Sequence, residues 1–275
     1  MRRRRALLGA SLASVLLLGA CGGSGTSDDA AQDPTTSADA DATDGTTGSD
    51  DLSGELTVFA AASLNVVFEE IADLFAAEHP GTEVAFSFAG SADLVAQLDA
   101  GAPADALATA NESTMASAVE AGNIDGEPDV FAANVLTLVT PAGNPAGVTG
   151  LDESLDDAAL VTCAPQVPCG EATHTLSGLL GVTLSPVSEE GSVTDVLGKV
   201  TSGQGDAGLV YATDAASAGA AVDVIAVDRA DEVVNRYPVA VTAGTDQPEL
   251  AAAWAEFLGG AEAQQVLGEA GFGAP

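Results

Sequence analysis

"TVFAAASLNVVFEE", Thr57 to Glu70, runs as a β-like stretch, breaks at three alanines and a serine, and resumes as a helix-like stretch. "ELTVFAA" reads as a buried strand. Val67, Ile71, Leu74, Phe75 and Glu78 then fall at i, i+4, i+7, i+8 and i+11, the spacing of an amphipathic helix that ends near "HPG". Ser63 stands at the strand-to-helix junction, where the first helical N–H groups lack intrahelical partners and the helix dipole is positive. The plainest use of its hydroxyl is a helix N-cap worth about 1 kcal/mol. Taken alone, Ser63 gives no reason to prefer another.

The same strand-then-helix unit recurs along the chain. "EVAFSFAG" runs into "SADLVAQLDAG", "ADALATA" into "NESTMASAVEAG", and "AALVTCA" through "PQVPCG" into "EATHTLSGLLG". "GSVTDVLGKVTSG" reads as a helix, "DAGLVYA" as a strand, "TDAASAGA" as a short helix and "AVDVIAV" as a strand. Alternation at this length predicts an α/β protein with largely parallel sheets and helices on both faces. Ligands in such folds bind beyond the carboxyl ends of strands, where helices begin. Three further junctions resemble that of Ser63: Ser91 after "SFAG", Cys169 and Gly170 ending "PQVPCG", and Ser192 and Val193 after "EEG". Helix N-termini with free N–H groups and small or hydroxyl side chains form anion sites without formal charge.

The ends of the chain differ from this pattern. "MRRRRALLGASLASVLLLGAC" has a basic front and an apolar run from Ala6 to Ala20. That run falls short of the roughly 20 residues of a membrane span and matches an export signal. "LGAC", Leu18 to Cys21, resembles a bacterial lipobox, which implies a leader over residues 1–20, a lipid on Cys21 and an extracytoplasmic, membrane-anchored protein. "GGSGTSDDAAQDPTTSADADATDGTTGSDD", Gly22 to Asp51, lacks aromatic and large aliphatic residues and reads as a flexible acidic tether over 21–52, ahead of a domain over 53–275. The 275 residues are 47% hydrophobic and 17% charged, ample for a sizeable core. Loss of the leader leaves Lys199, Arg229 and Arg236 against 41 acidic residues. Such a chain repels nucleic acid and anionic lipid surfaces.

"TVFAAASL", "FAGSADLVAQLDAGAPADALATA", "VPCG", "GDAGLVYATDA" and "YPVAV", in this order and at these separations, resemble the substrate-binding proteins of bacterial molybdate ABC transporters. The resemblance covers Glu55 to Phe272. It implies a type II two-lobe periplasmic-binding-protein fold, each lobe a mostly parallel sheet flanked by helices, closing over molybdate or tungstate. The implied donors are neutral: hydroxyl and backbone groups of Ser63 and Ser91, the N–H groups of Cys169 and Val193, and the Tyr211 phenol. It implies no cofactor, no direct metal-cation ligand, no enzymatic activity, and a transporter permease with its ATPase as partners. Lobe one would combine 53–133 with 237–275 and lobe two would span 134–236, with monomer as the default state. Gly90 stands where many relatives have serine, which removes a secondary hydrogen bond. Cys169 stands where alanine is frequent, and a main-chain donor survives that change.

Cys163 and Cys169 form a C-x5-C pair in an oxidising compartment, which predicts a disulfide. Zinc is the competitor, but His79 and His174 lack ligand spacing with the pair. A serine hydrolase would want G-x-S-x-G, whereas Ala89 stands two positions before Ser91. A ferric-binding relative of the fold would be expected to show paired tyrosines and anionic ligands, while Tyr211 and Tyr237 are the two tyrosines here and Tyr237 falls in a crossover strand. A sulfate or other oxyanion carrier of the same fold, and a structural surface lipoprotein without a tight small ligand, remain the alternatives.

Overall fold

The computed structural model describes residues 52–275. The leader, the lipobox Cys21 and the tether up to Asp51 lie outside the described residues. From Gly54 the chain follows the expected alternation: β1 (Gly54–Ala61), α1 (Asn65–Glu78), β2 (Thr82–Ala89), α2 (Ser91–Asp99), β3 (Ala106–Ala108), α3 (Glu112–Glu120) and β4 (Ile124–Asn134). The next stretch holds β5 (Leu136–Pro141), β6 (Leu160–Cys163), α4 (Pro168–Leu180), β7 (Ser188–Glu190), α5 (Val193–Thr201), β8 (Ala207–Tyr211), α6 (Ala212–Ala218) and β9 (Val222–Ile225). It closes with β10 (Asn235–Thr242), α7 (Pro248–Gly259) and α8 (Ala261–Glu269).

The strands form two five-stranded sheets with orders β2-β1-β3-β10-β4 and β7-β6-β8-β5-β9. In the first, β1 pairs in parallel with β2 and β3, and β10 runs antiparallel to β3 and β4. In the second, β6 pairs in parallel with β7 and β8, and β5 runs antiparallel to β8 and β9. Each sheet therefore points four strands one way and reverses one. The reversed strand is in both cases the one that arrives from the other half, β5 after β4 and β10 after β9. A strand entering without a crossover helix has no need to run parallel to its neighbours. The first sheet takes in Asn134 at the end of β4 and begins again at Asn235, so the chain passes between halves at Val135 and just before Asn235.

Packing follows the sequence pattern. Helix α1 buries Val67, Phe68, Ile71 and Phe75, half-buries Leu74 and leaves Glu78 exposed. Trp254 of α7 is fully buried and meets Phe68 and Phe75 edge-on, with ring centroids 5.5 and 5.4 Å away. Rings of this kind remove roughly 150–250 Å² each from water and hold the helix layer against its sheet. That rigid layer fixes where the end of β1, and with it Ser63, is presented. Among the described residues no helix is long and apolar enough to cross a membrane.

Candidate functional site

The five residues singled out as donors all lie at carboxyl ends of strands. Ser63 follows β1, Ser91 follows β2, Cys169 follows β6, Val193 follows β7, and Tyr211 ends β8. The structure brings all five to one cavity of about 20 Å³ between the two halves. One water needs roughly 10–15 Å³, so this is room for a single small guest.

The hydroxyls are not spent on helix caps. The N-cap position of α1 is Leu64 and has no side-chain capping bond; Ser63 Oγ instead lies 3.0 Å from the phenol oxygen of Tyr237. Ser91 Oγ accepts the N–H of Ala110 at 3.1 Å. The phenol oxygen of Tyr211 accepts from Nδ2 of Asn235 at 3.0 Å. In the last two cases an oxygen lone pair is occupied from behind; that leaves the Ser91 proton uncommitted, while the Tyr211 proton has both the cleft and the neighbouring Tyr237 phenol within reach. Burial, with Tyr237 and Asp214 nearby, pushes the Tyr211 phenol well above its ordinary pKa, so it keeps that proton at neutral pH.

The main-chain donors come from helix starts. Pro168 and Cys169 open α4, and Val193 opens α5, where N–H groups have no intrahelical acceptor and the dipole is positive. Ser192 caps α5 by accepting the N–H of Asp195 at 3.2 Å. Cys163 and Cys169 are joined by a disulfide with Cα atoms 5.6 Å apart, tying the start of α4 to the end of β6. Gly170 lies so close to this loop that an added Cβ would sit 1.8 Å from the carbonyl oxygen of Ala164. The backbone therefore packs tightly beside the Cys169 N–H.

No cation lines the cavity. Lys199 pairs with Glu190, and Arg229 with Glu232 at 2.7 Å. One carboxylate, Asp214 on α6, sits behind Tyr211 and accepts its backbone N–H at 3.1 Å. Burial raises its pKa to about 7, only partly offset by that bond. A partly neutral carboxyl there limits repulsion of an anion. Among the described residues no group of histidine, cysteine and carboxylate side chains could hold a metal ion.

Two contacts join the halves across the mouth. Gly90 packs on Gly191: a Cβ on Gly90 would lie 2.1 Å from the Gly191 carbonyl oxygen. The glycine thus serves close approach of the halves, beyond the lost hydrogen bond that the sequence implied. On the other side Glu171 of α4 accepts from Asn111 Nδ2 at 2.7 Å and from Ser113 Oγ at 2.6 Å, both at the start of α3. Sequence reasoning missed Glu171, Asn235 and the part played by Tyr237. Tyr237 is the crossover-strand residue that the sequence suggests, yet its ring is fully buried against Tyr211 with centroids 5.9 Å apart. It does not line the cavity. A polar pair at the head of an apolar strand, Asn235 and Tyr237, was the available signal.

Two sheets of matching order, meeting at a donor-lined cleft, define a two-lobe periplasmic-binding-protein architecture. Residues 56–273 match the family model described as bacterial extracellular solute-binding protein, and the chain belongs to that family. It is 43% identical to the molybdate-binding protein ModA of Mycobacterium tuberculosis over 80% of this chain and 85% of the relative. Identity to the molybdate-binding protein ModA of Escherichia coli is 32%, over 80% of this chain and 89% of that one. The periplasmic molybdate-binding protein of Azotobacter vinelandii has the same fold, with a TM-score of 0.70 and 22% identity over 80% of this chain and 99% of that structure.

Proposed function

We propose that this protein captures molybdate, and tungstate with it, outside the cytoplasmic membrane and delivers it to an ABC importer. The observation that carries the reading is the convergence of three hydroxyls and two helix N-termini on one cavity of about 20 Å³ with no cation in its wall. The identity to molybdate-binding relatives over four-fifths of the chain supports it. Ser63 and Ser91 would contribute from the first lobe, Cys169, Val193 and Tyr211 from the second. A ligand that touches both sets favours the closed form, and hinged closure follows from that difference in affinity. The closed face would then be what the permease and its ATPase read.

Donors without acceptors suit an anion that carries no proton near pH 7, as molybdate, tungstate and sulfate do. Phosphate usually keeps one, and its O–H would be buried unpaired at a cost of about 1–3 kcal/mol. Sulfate meets no such penalty and is rejected by size alone, because a pocket set for longer metal–oxygen bonds leaves its donors out of reach. We further propose a leader over 1–20, a lipid on Cys21, a tether over 21–52, and a binding domain over 53–275 that acts as a monomer. Neither a cofactor nor a chemical step enters this reading.

Competition calorimetry at neutral pH tests the function. Molybdate and tungstate should bind tightly, sulfate much more weakly and phosphate not detectably; phosphate binding as tightly as molybdate would overturn the all-donor site. For the anchor, Cys21→Ser should release the protein from membranes.

A further inference from the structure

Asn235 is the first residue of β10, where the chain re-enters the first sheet, and it is only 5% exposed. Its Nδ2 lies 2.9 Å from the carbonyl oxygen of Ala110, 3.0 Å from the phenol oxygen of Tyr211 and 3.5 Å from the carbonyl oxygen of Pro168. Carbonyl oxygens only accept, so the atom facing them is the amide nitrogen and its orientation is fixed by its partners. Asn235 therefore donates to Tyr211. Ala110, held by the same amide, in turn donates its N–H to Ser91 Oγ. One buried side chain thus stands behind a hydroxyl from each lobe.

We propose that Asn235 is the positioning residue that sets the proton direction of Tyr211, and through it the rejection of protonated oxyanions. The proposal rests on the oxyanion-binding reading of the cleft. A phenol oxygen has one proton to give. While Asn235 occupies one lone pair, that proton is kept to the cleft side, where the guest and the Tyr237 phenol are its possible acceptors; take the amide away, and the proton can turn into the vacated direction and a lone pair can face the guest instead. The site then loses a donor that molybdate uses and gains an acceptor that the O–H of hydrogen phosphate needs. Asn235 does not line the cavity, so it acts on selectivity without touching the ligand.

The test compares molybdate and inorganic phosphate by calorimetry at neutral pH in the wild-type protein, Asn235→Leu, Asn235→Asp, Tyr211→Phe and the double variant Asn235→Leu/Tyr211→Phe. Thermal melting without ligand first establishes which variants fold, and the isosteric Asn235→Asp carries the test if Asn235→Leu does not. The expected result is a loss of about tenfold or more in molybdate affinity in the Asn235 variants, accompanied by phosphate binding that the wild type lacks. That gain should vanish in the double variant, where there is no phenol to turn. Folded Asn235 variants that lose affinity for molybdate without gaining phosphate would reduce the residue to packing and overturn the proposal, as would phosphate binding that persists without the phenol. A wild-type protein that itself fails to bind molybdate would overturn the function proposed above, which separates the two failures.

Discussion

The cleft and a much roomier groove beside α1, α7 and α8 differ in almost every respect. The groove, about 950 Å³, runs between the end of α1 and the helices α7 and α8, and is walled by Glu78, Glu249, Glu256 and Glu262 with His79 and Phe257. The cleft offers about 20 Å³ and is walled by hydroxyls, helix starts and glycine backbone. A dianion in the groove would face four carboxylates, whereas in the cleft it would face hydroxyls and helix N-termini. Room and chemistry are thus separated in this protein. A strongly acidic chain can hold an anion because the deciding field is local, set within a few ångströms by dipoles and O–H groups, while exposed charges farther away are screened by salt.

The comparison breaks most sharply at the mouth of the cleft. Gly90 has ordinary extended φ and ψ, −59° and 136°, so its backbone tolerates any residue and only the Gly191 contact forbids a Cβ. Gly90→Ala should therefore leave the melting temperature of the ligand-free protein nearly unchanged, yet lower molybdate affinity about a hundredfold, the overpacking cost falling on the closed form alone. Calorimetry together with small-angle scattering checks this: the ligand-saturated variant should stay more open than the wild type. An unchanged affinity would mean that the closed contact is not part of the bound state.

Deleting single hydroxyls comes next. Ser63→Ala, Ser91→Ala and Tyr211→Phe each remove a donor to an ionised ligand, a bond worth about 1.5–3 kcal/mol. Affinity should drop roughly tenfold to a hundredfold in each, and no change in all three would place the site elsewhere. Glu171→Ala removes the clasp to Asn111 and Ser113 without touching the cavity wall. At about 1 kcal/mol or somewhat more for partly exposed bonds, stopped-flow measurement should show molybdate leaving several-fold faster, with little change in association. A slower association and unchanged release would contradict a role in holding the closed form. The smallest effect belongs to the groove. Glu256→Gln with Glu262→Gln should leave molybdate affinity within error at physiological salt; a large gain would show that the distant carboxylates do set the field in the cleft.

Much of the fold was legible because it rests on local pattern. The alternation of apolar runs and amphipathic spacing from Glu55 onward gave most of the strands and helices, though neither β4 nor the short polar β7 was among them, and the 3.6-residue repeat of Val67, Ile71 and Phe75 identified the buried face of α1. The reversal of β5 and β10 was not legible in the same way, since strand direction depends on which half a segment joins. Four of the junctions that carry candidate donors were legible too: small or hydroxyl residues recur where strands give way to helices, and chain connectivity alone places such junctions at one edge of a parallel sheet, whereas Tyr211 entered only through the family resemblance.

Sequence by itself therefore determined the α/β alternation and the shortage of cations, which are properties of neighbouring residues, and offered through resemblance a set of candidate neutral donors. The tertiary structure decided which partner each hydroxyl meets and what lets the halves meet. Ser63 meets Tyr237 across 174 positions of sequence, and Asn235 reaches Ala110 across 125. The serine of the opening stretch, which could have been a helix cap on local grounds, makes no capping bond to α1: it sits inside a short 3-10 turn, Ala62–Leu64, one residue before the N-cap position, and its oxygen lies beside a distant tyrosine at the wall of the cleft. Hydrogen-bond direction is a property of pairs brought together by folding, and Gly90 shows its hard-core counterpart: nothing near it in sequence forbids a side chain, and a carbonyl 101 positions away does.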